Sequence, residues 1–308
     1  MDYLYILIAD VLLGAIFVLN KKYQQHAGSG LKAGIVSNLM LGSLGLIISF
    51  AALGFKPEFT LFSLLIATLS TACGVIYTVI GLKILSGGKV SVYAMFLMTG
   101  GMLIPFLYGV IFLKESINAL KIIGLVLIIF SIVVTNFDKQ KPSKKQLIMS
   151  VAVFFLNGFL GVCSKIHQTT VKFDTVSTEG YVFLGNIAKV TLSLIVLAVI
   201  VISAKQKERS ALPDATVTDK NKDAAATPII KRLIPYALLL AIAVFDFISY
   251  YCQLEGSVTI QASVLFPLVS GGSIVMTAAV GMLILREKPT KSAVAGMIIC
   301  LAGMCMFI

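Results

Sequence analysis

Ten stretches of nearly unbroken apolar residues run along this chain, separated by short polar breaks. They cover 3–20, 33–53, 61–82, 90–113, 118–135, 147–165, 178–203, 233–254, 260–285 and 290–308. Each is near the ~20 residues that a helix needs to cross the hydrocarbon of a bilayer. The pattern predicts ten transmembrane helices. The break Asn136–Gln146 is short and polar, with Asp138, Lys139, Lys141, Pro142, Lys144 and Lys145. The one long break, Ala204–Lys231, is rich in Ala, Thr, Asp and Lys and carries Pro213 and Pro228, which predicts a disordered surface segment.

The order of features is repeated. Phe112-Leu113-Lys114-Glu115 precedes the apolar run 117–135, and Ile284-Leu285-Arg286-Glu287 precedes the run 293–308. The two glutamates are 172 positions apart (287 − 115). At the same offset Gly100, Gly109 and Gly124 meet Gly272, Gly281 and Gly296, and Ser91-Val92 meets Ser263-Val264. Near the front, Gly14, Lys21 and Gln24 recur as Gly158, Lys165 and Gln168 at an offset of 144 (165 − 21). One structural unit used twice in an apolar chain points to a transporter built from internal repeats. The units are 1–137 and 146–308, the second carrying the flexible loop 204–231.

Composition agrees. Apolar residues make up 58% of the 308 and charged ones 13%, against roughly half and a quarter in soluble domains. With a mean hydropathy of +0.98, the solvent for this surface must be lipid. The net charge of +11 fits cytoplasmic loops and anionic headgroups rather than nucleic acid. Cys73, Cys163, Cys252, Cys300 and Cys305 lie dispersed in apolar runs without a C-x-x-C pair, and read as small packing residues. His26 and His167 are too few for a histidine metal site, and no cofactor motif is present. Gly87-Gly88-Lys89 lacks the spacing of a phosphate-binding loop, and enzyme signatures are missing, so the chain reads as neither an ATP-driven pump nor an enzyme. The first run lacks a basic leader and is interrupted by Asp10, so it reads as a retained span.

Lysine and arginine concentrate in the breaks after runs one, five, seven and nine. The opposite side holds only Lys56, Lys114, Lys121 and Lys172. The positive-inside rule then puts both termini outside. With five spans per half, the second half is inverted relative to the first. The expected fold is all-α: a polytopic membrane protein of ten transmembrane helices in two inverted five-helix repeats.

Runs four and nine carry Thr99-Gly100-Gly101 with Pro105, and Pro267 with Ser270-Gly271-Gly272-Ser273. Interrupted helices at matching places would point to a central site, and close packing at glycine is the other reading. Three charges lie deep in the runs: Asp10, Lys189 and Asp246. Each costs roughly 2.5–3.5 kcal/mol at mid-membrane, so partners or water are expected. Lys189 and Asp246 fall at similar depths and are expected to pair near a cavity, with Asn186 and Asp10. Asn186 and Lys189 share a helix face, as do Asp246, Tyr250 and Gln253. Asn157 adds a polar group to run six, and Tyr77 and Tyr93 add rings. The candidate binding or coupling residues are therefore Asp10, Asn157, Asn186, Lys189, Asp246 and Tyr250. The bland alternatives are a packing ion pair and interhelical hydrogen bonds. Glu115 and Glu287 are expected to set helix entry, and Lys21 and Lys165 to snorkel to the interface.

The paired segments Phe-Leu-Lys-Glu-Ser-Ile-Asn (112–118) and Ile-Leu-Arg-Glu-Lys-Pro-Thr (284–290), each before a glycine-bearing apolar helix, resemble the drug/metabolite transporter superfamily in its ten-span branch with two EamA-type repeats. The resemblance covers the chain outside 204–231. It implies secondary transport of a small-molecule solute, often export, without ATP, and a last helix of each half that packs outside the pathway. The chain departs from such proteins in lacking tryptophan and in its long loop after run seven. The expected work is export of a metabolite or drug across the plasma membrane by alternating access, with proton coupling through Asp10 or Asp246 one open route. The rivals are uptake or antiport of a sugar or phosphorylated solute, and a membrane-embedded sensor or assembly factor.

Overall fold

In a bilayer every backbone N–H and C=O needs an internal partner, which leaves helices as the simplest solution for apolar runs. The computed structural model describes residues 2–27, 30–86, 90–136, 143–210, 229–285 and 290–307. Among them lie ten helices and no strand. In order they are α1 (Asp2–Ala27), α2 (Leu31–Ala52), α3 (Leu61–Ser86), α4 (Val90–Ile111), α5 (Ala119–Thr135), α6 (Lys144–Thr169), α7 (Thr178–Ser210), α8 (Ile229–Thr259), α9 (Ala262–Leu285) and α10 (Lys291–Cys305). Eight are long and apolar enough to cross a membrane; α5 and α10 are apolar but shorter, at 17 and 15 residues.

Several helices outrun their apolar stretch. α1 continues through Lys21, Lys22, Gln24 and Gln25, and α7 through Lys205, Gln206, Lys207 and Glu208. These residue types propagate a helix well in water. The loop expected over 204–231 is corrected accordingly: its ends belong to α7 and α8, and 211–228 lie outside the described residues. So do the linker residues 137–142, Gly87-Gly88-Lys89, Arg286 and Glu287. Polar caps define other starts. Asn118 accepts from Lys121 N–H (2.8 Å), Ser143 and Gln146 form a capping box, and Thr290 accepts from Ala293 N–H (3.2 Å).

The interrupted helices expected in runs four and nine are not seen. α4 and α9 run unbroken past Pro105 and Pro267. Their glycines serve close packing instead. A Cβ on Gly158 of α6 would stand 2.8 Å from the Gly100 carbonyl oxygen of α4. On the other side, a Cβ on Gly14 of α1 would stand 2.6 Å from the Met276 carbonyl carbon of α9. Small residues let two backbones approach this closely, and dispersion then holds them.

The main packing partners of α1 are α8 and α9, and those of α6 are α3 and α4. α2 packs on α7, α4 on α9, and α5 on α10. Moving every helix five places along the order leaves this set of partners unchanged. One buried cluster joins α1, α4, α5, α9 and α10 through Ile6, Met102, Ile128, Leu265 and Cys300. A second, with Ala67, Tyr181 and Leu254, joins α3, α7 and α8. Residues such as Leu65, Phe130, Leu194, Leu240 and Leu301 point outward as a lipid-facing surface.

Gly14→Ala forces a methyl onto backbone that cannot turn away, and is expected to cost about 1–3 kcal/mol. Gly281→Ala meets nothing within 4 Å and is expected to be neutral or stabilising by up to about 1 kcal/mol. Thermal unfolding of the two purified variants in detergent measures the contrast; equal losses would contradict the close-approach account.

Candidate functional site

Lys189 of α7 and Asp246 of α8 meet as expected. The ammonium Nζ lies 3.8 Å from Asp246 Oδ2, with 30% and 51% of the two side chains exposed. Lys189 reaches there over α2, where its Cγ would lie 3.2 Å from a Cβ on Gly42. One turn earlier Asn186 is buried, its Oδ1 2.7 Å from where a Cβ on Gly45 would be. The spacing of the two glycines matches that of the two polar residues, so α2 offers a backbone groove along the polar face of α7. The pair is not enclosed, since each side chain keeps accessible surface beyond it. It is therefore free to exchange partners.

Tyr250 stands one turn beyond Asp246 on α8, and its hydroxyl and that of Ser164 of α6 are 2.9 Å apart. The hydroxyls of Ser70 and Tyr181 lie beside this pair. Tyr77 of α3 is within electrostatic reach of Asp246 and Tyr250, and Tyr93 of α4 is in reach of Tyr77. Tyr250, Ser164, Gln253 and Ser257 also line a cavity of about 40 Å³ whose other walls are apolar residues of α6, α8 and α9. That is room for one or a few waters. The Lys189–Asp246 pair and hydroxyls of α3, α4, α6, α7 and α8 are thus linked through successive neighbours.

Two candidates lie elsewhere. Asn157 donates from Nδ2 to the Leu97 carbonyl (2.8 Å) beside Gly101, which makes it an α4–α6 interhelical hydrogen bond. Asp10 is 2% exposed and faces α9, where any Cβ on Gly272 would collide with its carboxylate. The preceding residue faces α8 instead, its carbonyl accepting from Ser249 Oγ (3.1 Å). Adjacent helical residues point about 100° apart, so α1 gives Ala9 to α8 and Asp10 to α9. Among the described residues no hydrogen bond or ion pair joins Asp10 to Lys189 or Asp246. At the repeat offsets Gly272 answers Gly100 and Asp10 answers Phe154, and a Cβ on Gly100 would collide with Phe154. The two glycines thus meet corresponding helices in different ways, Gly100 the backbone of Phe154 and Gly272 the carboxylate of Asp10.

Lys165 overturns the snorkelling expectation. It is 3% exposed and donates from Nζ to the carbonyls of Ser257 and of Ile260 (2.8 Å). Glu115 does set a helix entry, but that of α9, not of the helix that follows it. Its Oε1 and Oε2 accept from the N–H groups of Ala262 (2.7 Å) and Ser263 (2.8 Å). Ser70, Ser164 and Tyr181 were not among the residues that stand out in the sequence. Their only signal was a hydroxyl inside an apolar run, which most membrane helices share.

Gly272→Ala is expected to destabilise by about 1–3 kcal/mol through overpacking, and Asp10→Ala to relieve it. A double-mutant cycle in thermal stability should give a coupling of at least about 1 kcal/mol. Additive losses would mean that the two residues do not touch.

The comparisons with known proteins fit this arrangement. A chain described as "Crystal structure of protein" superposes with a TM-score of 0.70 at 13% identity, covering 99% of this chain and 95% of that one. At that identity the likeness speaks for the fold alone. No curated protein matches the chain. The model of the EamA-like transporter family matches residues 144–308, more than half of the sequence. With its ten apolar helices and polar centre, the chain belongs to the EamA-like transporter family, as a multi-pass membrane transporter of small solutes.

Proposed function

We propose that the chain is a secondary exporter of a small organic solute, a metabolite or drug, in the plasma membrane. Its halves, 1–137 and 146–308, act as inverted five-helix repeats that rock about the polar centre. That the packing partners stay the same on moving five helices along supports the two-repeat reading. Two halves built alike and set in opposite orientation can adopt two related arrangements, one open to each face.

The observation that carries the reading is the Lys189–Asp246 pair, 3.8 Å apart and partly exposed along apolar spans. A solute bearing an acidic group competes with Asp246 for Lys189. Protonation of Asp246 releases the lysine. Either event changes the relative stability of the two arrangements, which is the differential interaction that coupling requires. Tyr250 and Ser164 supply neutral donors beside the pair.

The test is transport in proteoliposomes loaded with a panel of metabolites and drugs, under imposed pH and membrane-potential gradients. Asp246→Asn is expected to abolish gradient-driven accumulation and to leave expression unchanged. Lys189→Gln is expected to weaken transport of acidic solutes most. Full-rate transport by Asp246→Asn with the parent's pH dependence would make the carboxylate structural. Uptake without export would reverse the direction proposed.

A further inference from the structure

The link between α8 and α9 is very short. Only Ile260 and Gln261 separate Thr259 from Ala262. A helix C-terminus and a helix N-terminus therefore meet at one point, leaving unsatisfied carbonyls on one side and unsatisfied amides on the other. Two charged side chains from outside the turn complete it. Lys165 at the end of α6 takes the carbonyls of Ser257 and Ile260. Glu115 between α4 and α5 takes the amides of Ala262 and Ser263. Each charge has the sign that the adjacent helix end favours, and the two also attract one another. Lys121 adds a bond from Nζ to Gln261 Oε1 (2.7 Å).

The backbone around Glu115 is set for this task. Lys114 is held at φ 57°, in the left-handed region that a non-glycine residue enters at a cost. The Glu115 N–H turns back to the Gly109 carbonyl (3.1 Å) at the end of α4. The helix thus stops at a left-handed residue, with a return bond that spans six positions, one more than the usual stop of this kind. It aims the carboxylate at the start of α9 instead of α5, which Asn118 already caps. Strain kept at a contact between distant parts of a chain marks a place where position matters.

Below the turn lies the 40 Å³ cavity with Tyr250, Gln253 and Ser257. On its other side is a cleft of about 310 Å³ between Thr259, Ile260 and Gln261 and the side chains of Tyr3, Lys121 and Phe307. The turn thus has beneath it a small, mainly apolar cavity that carries Tyr250, Gln253 and Ser257, and space to move into. We propose that Glu115 and Lys165 are positioning residues for transport, a latch that holds the α8–α9 turn closed over the polar centre on the lysine-poor face. That face opens when the two side chains release the turn. The latch rests on the alternating-access reading above.

Labelling tests it without knowledge of the solute. In a full-length background with Cys73, Cys163, Cys252, Cys300 and Cys305 replaced, Gln253→Cys places a thiol in the cavity under the turn. A membrane-impermeant maleimide is applied to each face in turn, in intact cells and in inverted vesicles. The parent is expected to label slowly from the lysine-poor face. Glu115→Gln, which keeps the side-chain volume, and Lys165→Met should each label at least about tenfold faster there, and Lys165→Arg should return towards the parent rate. Glu58→Gln is the control for general loosening. Glu58 caps another helix through Ser177 N–H (2.6 Å) without touching the α8–α9 turn, so its rate should not change.

Unchanged labelling in Glu115→Gln overturns the latch, and that variant decides alone if Lys165→Met is not recovered folded. An equal rise in Glu58→Gln also overturns it. The two readings fail differently. A transporter without this latch would move solute while labelling stayed at the parent rate in every variant. A chain that does not alternate would neither move solute nor change its labelling in any variant.

Discussion

The bundle depends on helix backbones coming closer than side chains normally allow. Lipid gives two apolar helices little reason to associate, so contact has to come from packing itself. Glycine supplies it at Gly14 against α9 and at Gly158 against α4. It does so again where a Cβ on Gly124 of α5 would lie 2.7 Å from the Gly303 carbonyl oxygen of α10. The same device builds the centre, because Gly42 and Gly45 let Asn186 and Lys189 lie flat on α2. Polar chemistry inside the membrane is affordable here only because the scaffold leaves backbone grooves to seat it.

Charges in this protein then divide by their partners. Lys165 and Glu115 are matched by backbone groups at helix ends, and their contacts join α6 and the α4–α5 segment to the α8–α9 turn. Lys189 and Asp246 are matched by each other at 3.8 Å and stay partly open. The first arrangement has little to gain from a solute. The second can trade one partner for another at small cost. Asp10 belongs to neither group, being buried against Gly272 with one carboxylate oxygen unpartnered.

The sequence made the helices easy to read, since length and apolarity alone specify a span. It also made the Lys189–Asp246 meeting legible, because two opposite charges at similar depth lower each other's cost. What it could not indicate is which neighbour fills a given helix face. Asn157 was visible as a polar residue, but its role depends on the Leu97 carbonyl of a helix 60 positions away. Asp10 sits one residue, and so one face, from Ala9, and only the packing of α1 between α8 and α9 decides which of the two meets α8. Lys165 misled for a related reason. A lysine at a span's end normally finds water, and here the α8–α9 turn arrives first with two carbonyls. Glu115 was recognisable as a helix-entry residue, but its target is a helix of the other half.

The cap on α9 has a bearing on how the protein is made. The Ala262 amide and the Glu115 carboxylate are 147 positions apart in the chain. At ~5–20 residues per second, the ribosome needs roughly 7–30 s to go from one to the other. For that interval Glu115 stands at the membrane surface without the amides it will hold, and Lys165 waits likewise for its carbonyls. Closing the α8–α9 turn is thus a late event of biosynthesis, performed by side chains that were inserted with earlier helices.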